Sequence, residues 1–354
     1  MTLSKKLVAY MSLSTGIGFI ALLSFLCAGQ SALAEDINCL LCHEQLSKEK
    51  VVHAALQMGC PTCHTGINAA DVPHKKTNNV EKGLSSAQPD LCFGCHDKAK
   101  FQKKTVHAAV AMGCTGCHNP HSSKNAKLLV SEMPDLCFNC HDKKLFMGKK
   151  NIHPPVMGGM CTGCHNPHAS DAPKLLLSEP PALCYNCHDK SKFTGKQVHA
   201  PIGAGMCTSC HSPHQSDNEK LLIGTAPDLC YNCHDKAAFS NKNVHAPVAG
   251  GMCLGCHKPH AAAEPYLLKN DAVRLCLECH PAIKTTPHAI AGFGGDGHPL
   301  GYLQKKKKPL EDPSRPGKRF YCGSCHNPHS TDTPKLFRFE AKSGMALCGN
   351  CHKF

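Results

Sequence analysis

Apolar residues form one long run in this chain and do not do so again. The run extends from Leu7 to about Cys27, behind Lys5 and Lys6 and ahead of Ala32-Leu33-Ala34. That order of positive, apolar and small residues predicts a secretory signal peptide over residues 1–34, with the mature chain starting near Glu35. The run approaches bilayer-spanning length, but Ser12, Ser14, Thr15, Gly16 and Gly18 dilute it. Leu26 also stands where a lipoprotein signal ending at Cys27 would want a small residue. No later stretch is apolar enough to span a membrane, so the mature chain is expected to be exported and soluble.

Beyond the leader the pattern is short and punctuated. Pro89-Asp90, Pro134-Asp135 and Pro227-Asp228 read as helix starts with Asp as N-cap, and the helices are expected to run to Phe101, Phe146, Phe193 or Phe239. Gly-rich turns such as Met157-Gly158-Gly159-Met160 follow, and a Pro-His step later in each unit breaks any further helix. The fold class this predicts is mainly short α-helices and coil. The punctuation repeats about every 46 residues, as the cysteines at 92, 137, 184, 230 and 276 show, which means an array of stacked modules.

Each module carries Cys-x-x-Cys-His twice. Two thiols about one helical turn apart can both form thioethers to the vinyl groups of one porphyrin, and the next histidine is then held beneath the ring as proximal iron ligand. Thirteen such motifs occur, pairing Cys39 with Cys42, Cys60 with Cys63, Cys92 with Cys95, Cys114 with Cys117, Cys137 with Cys140, Cys161 with Cys164 and Cys184 with Cys187. The others pair Cys207 with Cys210, Cys230 with Cys233, Cys253 with Cys256, Cys276 with Cys279, Cys322 with Cys325 and Cys348 with Cys351. Their proximal histidines are His43, His64, His96, His118, His141, His165, His188, His211, His234, His257, His280, His326 and His352. A zinc site or a thiol redox pair does not need a histidine after every second cysteine, nor thirteen copies. The expectation is therefore thirteen covalently attached haems c. Of 27 cysteines only Cys27 lies outside the motifs, in the leader.

Of 26 histidines, thirteen remain as candidate distal ligands. His53, His107, His153, His199 and His245 stand seven or eight residues before a second cysteine pair. His121, His168, His214, His260 and His329 stand three residues after a proximal histidine, in a Pro-His step. A histidine that close to its own proximal residue cannot easily reach the far face of the same ring, so it should serve another haem and staple units together. His74, His288 and His298 fit the pattern less well. One spare histidine per motif is what bis-histidine ligation requires. Met58, Met112, Met160, Met206 and Met252 precede cysteine pairs but read as packing on porphyrin edges rather than as axial ligands, and Phe93, Phe138, Tyr185 and Tyr231 as haem packing rather than as electron stepping stones.

The units then read as a variant N-terminal dihaem unit over 35–91, four tandem dihaem repeats over 92–275, and a C-terminal trihaem region over 276–354 with an insertion at 289–321. The stretch from Thr65 to Gln88 reads as a loop carrying His74. One haem per roughly 25 residues leaves too little polypeptide for an ordinary core, and the chain has no Trp. Haem is expected to form the core. The formal charge of +13 is largely offset by haem propionates, so it does not argue for nucleic acid. The run Lys305 to Lys308 could dock an acidic partner, but such runs are more often simply solvated.

The doubled motifs, the Pro-His steps and the Gly297-His298-Pro299 insertion before Cys322 resemble the multihaem cytochromes c, a family that includes the decahaem conduits paired with outer-membrane porins. The resemblance covers residues 39–352 and implies closely stacked low-spin haems passing electrons along the chain; thirteen motifs rather than ten is a departure. It implies an electron carrier rather than an enzyme, in the periplasm after signal cleavage, or associated with the outer membrane or extracellular, serving anaerobic or metal-reducing respiration. The implied partners are redox proteins: an inner-membrane quinol dehydrogenase on one side and an outer-membrane porin or extracellular cytochrome on the other. The alternatives are a reductase of nitrite, hydroxylamine or a sulfur oxyanion, which needs an open iron site, and a subunit of an extracellular haem filament.

Overall fold

The computed structural model describes residues 37–285, 311–340 and 343–353. The leader, His288, His298 and the run Lys305 to Lys308 lie outside them. What the described residues form is a succession of single helical turns and two-residue strands. The longest helix, Ala272–Leu277, has six residues.

The expected continuous helix through each first motif is two pieces. In the second unit Asp90–Phe93 is one turn of α-helix, and Lys98–Phe101 is a separate 3₁₀ turn. Pro89, not Asp90, takes the N-cap position, and Asp90 lies in the first turn. The break has a local cause. Asp97, directly after the proximal histidine, turns its carboxylate back to accept from the Ala99 N–H at 3.0 Å and starts a new turn. Asp189 and Asp235 repeat this cap.

Units are joined to their neighbours by strands. Val51–Val52 pairs antiparallel with Ser122–Ser123, Thr105–Val106 with Ala169–Ser170, and Asn151–Ile152 with Gln215–Ser216. Gln197–Val198 pairs with Ala261–Ala262, and Asn243–Val244 with Ser330–Thr331. In every case a strand leading into one histidine lies against a strand leaving a Pro-His step of the next unit. The stretch from Thr65 to Gln88 departs from the expected loop: Ile67–Asn68 and Lys75–Lys76 close a hairpin inside the first unit.

The polypeptide builds almost no core of its own. Among the described residues the buried hydrophobic side chains are Ala169, Ala172, Ala262, Val273, Leu277 and Phe320, half of them alanine. Met112 is 84% exposed and Leu145 67%. Six small contributors cannot offset the conformational entropy of ordering nearly three hundred residues, so the apolar faces of this array are made to be covered by something other than protein.

Candidate haem-binding sites

All thirteen Cys-x-x-Cys-His segments adopt one geometry. The histidine N–H donates to the carbonyl of the first cysteine, at 2.9 Å in His43, His96, His188 and His352 and at 3.1 Å in His257, the longest. One closed turn thus puts two sulfurs and one imidazole on a common face. The first thiols of paired motifs lie close enough to influence one another: Cys92 and Cys114, Cys137 and Cys161, Cys184 and Cys207, and Cys276 and Cys322. Burial, and then the neighbouring cysteine, pushes the thiols of Cys92, Cys137 and Cys230 up to about 11.

The remaining histidines face these motifs across the unit junctions. His53 lies opposite His96 with ring centres 6.2 Å apart, and His107 opposite His141 at 6.0 Å. His153 faces His188, His199 faces His234, and His245 faces His280, at 6.1, 6.1 and 6.2 Å. In the reverse sense His121 faces His64 and His168 faces His118, at 6.2 and 5.9 Å. His214 faces His165, His260 faces His211, and His329 faces His257, at 6.1, 6.0 and 5.9 Å. Ten pairs therefore fall two to each of five junctions. An eleventh, His43 with His74 at 5.9 Å, lies within the first unit.

That spacing suits one metal ion between two rings. Metal–nitrogen bonds of about 2 Å on each side put imidazole centres roughly 6 Å apart, whereas direct stacking would draw them closer. Among the described residues no three His, Cys, Asp or Glu side chains converge on a cage. The donor set is two imidazoles on an axis with two sulfurs beside it, which fits a covalently held porphyrin iron and leaves nothing for zinc.

Backbone carbonyls decide which nitrogen points inward. His53, His107, His153, His199 and His245 each present Nδ1 to the carbonyl of Pro120, Pro167, Pro213, Pro259 or Pro328, at 2.8 to 3.0 Å. Proximal His118, His165, His211, His257 and His326 do the same with Lys127, Lys174, Lys220, Tyr266 and Lys335, at 2.8 or 2.9 Å. With Nδ1–H so engaged, Nε2 is left as the lone-pair nitrogen facing the slot. His121, His168, His214, His260 and His329 are held below the ordinary histidine range by burial first and then by the opposing histidine, which favours the neutral, ligating form.

Some contributors were not visible in the sequence. The carbonyl acceptors come from left-handed turns, with φ of 56° at Lys127 and 58° at Leu128, and the same pair of values recurs to within a degree at Lys174-Leu175, Lys220-Leu221 and Lys335-Leu336. Phe101, Phe193 and Phe239, expected only as helix ends, pack against His168, His260 and His329 of the next unit at 4.9 Å. Asp312 is another. Burial would raise its pKa, but hydrogen bonds from Ser314, Ser324 and Arg315 outweigh this and bring it to about 2. Met58, Met160, Met206 and Met252 flank the motifs with exposed side chains.

A model of the doubled CXXCH motif family matches residues 53–101, 107–146, 153–193, 199–239, 245–285 and 313–354. The chain belongs to this family. Doubled CXXCH proteins carry haem c covalently, so the chain is a multihaem cytochrome c built as a haem-packed array of short helices and turns. Each matched segment from 53 to 239 begins on one of the histidines that oppose a first motif and ends on a phenylalanine. Over 100 residues the chain is 30% identical to a protein named multiheme cytochrome MtrA from Shewanella baltica (strain OS185). That similarity covers 26% of this chain and 27% of that protein, so the chain spans about a quarter of the length of the relative it matches.

Proposed function

We propose that this cytochrome is an electron-transfer wire of thirteen haems c, all with two histidine axial ligands, that carries electrons through the periplasm towards an outer-membrane or extracellular acceptor. The observation that carries the reading is the pair of facing histidines at every unit junction. Each unit supplies a ligand to a site on the next and takes one back, so the two sites of a described junction are tied through one strand pair. The haem irons, when bound, supply the ferric–ferrous couple. The chain's own part is to fix both axial imidazoles, keep Nε2 inward and hold successive sites at constant spacing. His53 and His121, side by side at the end of one strand pair, where the His53 N–H donates to the His121 carbonyl at 2.7 Å, serve irons on opposite sides of the same junction, at His96 and His64. His288 and His298 are the partners we assign to His326 and His352. An inner-membrane quinol dehydrogenase as donor and an outer-membrane porin or extracellular cytochrome as acceptor complete the proposal; the name of the MtrA relative supports the multihaem part of it.

Intact mass of the mature protein together with low-temperature EPR of the oxidised form tests this. Thirteen haems with only low-spin ferric signals are expected, and His107→Ala should convert one haem equivalent to high spin while the haem count read from the mass stays at thirteen. A high-spin equivalent in the parent protein would overturn the wire in favour of a reductase with an open site. A sixth ligand gained only on self-association would favour a filament subunit.

A further inference from the structure

The sixth unit holds its second motif differently from the other five. In units two to five the residues before that motif form a strand, a histidine, one helical turn and a glycine turn, as in Asn151–Ile152, His153, Pro154–Met157 and Gly159. Before Cys322 the segment from 311 to 321 is instead folded on a buried carboxylate. Asp312, 1% exposed, accepts from the Ser314 N–H at 2.9 Å, the Ser314 hydroxyl at 2.6 Å and Arg315 Nε at 2.7 Å. Arg315 Nη2 also donates to the Gly323 carbonyl at 3.1 Å and the Ser324 hydroxyl at 3.2 Å, both between the two motif cysteines. The same Gly323 carbonyl receives a second guanidinium, Arg338 Nε at 2.7 Å.

Arg338 is itself a departure. Its N–H donates to the carbonyl of the second motif cysteine, Cys325, and the residues making that bond in the second to fifth units are Val130, Leu177, Ile223 and Lys269, the last a flexible ammonium rather than a forked guanidinium. The chain has four arginines: Arg315, Arg319 and Arg338 lie in this unit and Arg274 just ahead of it, while the other 35 of the 39 Lys and Arg residues are lysine. Guanidinium is the side chain suited to fixed, forked donation and to charge held in place. Two guanidiniums against one carboxylate leave one net positive charge on the attachment loop.

We propose that Asp312, Arg315 and Arg338 form a positioning site for the haem at Cys322 and His326, which replaces the strand-and-helix lead-in of the other units and makes this site the electron-accepting low point of the file. A fixed cation beside an iron centre stabilises the form that has gained an electron, so its potential lies above those of the equivalent sites at Cys114, Cys161 and Cys207, whose matching positions are apolar. Electrons entering the wire then collect towards its C-terminal unit. This rests on the wire reading and adds a direction to it.

Potentiometric titration and intact mass of the full-length holoprotein test it. Arg338→Gln should keep the parent haem count and move about one haem's share of the titration to lower potential, and Arg338→Lys should restore much of the shift. Asp312→Asn, which frees Arg315, should yield a fraction of molecules one haem short. An Arg338→Gln titration that overlays the parent's overturns the charge argument. Full haem loading with parent EPR in Asp312→Asn overturns the positioning role. A parent protein without reversible haem titration would instead defeat the wire reading on which the proposal rests.

Discussion

At the scale of single residues, the sites are set by backbone rather than by other side chains. A proximal imidazole such as His118 is oriented by the Lys127 carbonyl at 2.9 Å, and that carbonyl points correctly only because Lys127 and Leu128 both adopt positive φ. Left-handed backbone costs a residue with a side chain on the order of 1–2 kcal/mol, and such strain persists where surrounding structure over-determines it. Lys127 is exposed, so its side chain can be changed without touching the slot. Lys127→Gly, which adopts this conformation freely, is expected to stay within about 1 kcal/mol of the parent, relief of strain being offset by a more flexible unfolded chain. Lys127→Val, β-branched, is expected to cost on the order of 1–3 kcal/mol. Guanidinium unfolding of the two holoproteins checks the order; a glycine variant less stable than the valine variant would mean that the turn does not carry the strain assigned to it.

At the scale of elements, the third unit shows how the array absorbs an irregularity. His141 and His153 are twelve positions apart, whereas His96 and His107, His188 and His199, and His234 and His245 are eleven apart. The extra residue is accommodated in the turn of helix Lys144–Met147 and Gly148, and Gln215 of the next unit reaches over to close it. Gln215 accepts from the Gly148 and Lys149 N–H groups at 2.6 and 2.8 Å and donates to the Lys144 carbonyl at 2.8 Å. The matching positions at other junctions hold Ser122, Ala169, Ala261 and Ser330; Ser330 makes a smaller version of the bridge, accepting from the Asn241 N–H at 3.3 Å and donating to the Ala238 carbonyl at 3.0 Å. Gln215→Ala leaves three backbone groups without that partner and is expected to cost on the order of 2 kcal/mol, read as earlier exchange of the Gly148 and Lys149 amides. Unchanged protection of both amides would show that water replaces the side chain at no cost.

The same junctions show what the sequence could and could not display. A Cys-x-x-Cys-His site is legible because its chemistry requires five consecutive residues. The axial pairing is not, since His121 and its partner His64 lie 57 positions apart in repeats of nearly equal spacing, and any register would satisfy the count. Two-residue strands such as Thr105–Val106 are too short to leave an alternating pattern, and nothing in Lys-Leu signals a left-handed turn. The knot around Asp312 falls inside the insertion expected over 289–321, and the sequence gives no sign of which of its charges are buried.

At the scale of the whole molecule, the described residues form a one-dimensional array in which each unit is completed by its neighbours. In the unit that starts at Cys39 the hairpin of Ile67–Asn68 and Lys75–Lys76 brings His74 back to face His43. His43 is thus faced by a histidine of its own unit. Every junction joins two strand residues to two, a contact far too small to hold a module in place; the rest of the cohesion has to come through the facing histidines and whatever lies between them. Haem attachment is therefore expected to be a condition of folding rather than a later addition. Expression in a host that exports the chain but cannot form the thioethers should give a polypeptide with a disordered far-UV CD spectrum that is cleaved throughout by low protease, whereas the holoprotein resists. The predicted difference is all or none along the array, because no unit retains a buried core when its neighbours' ligands are released. An unattached chain with native-like CD and protected amides would place the stability in the polypeptide and would contradict the six-residue core on which this argument stands.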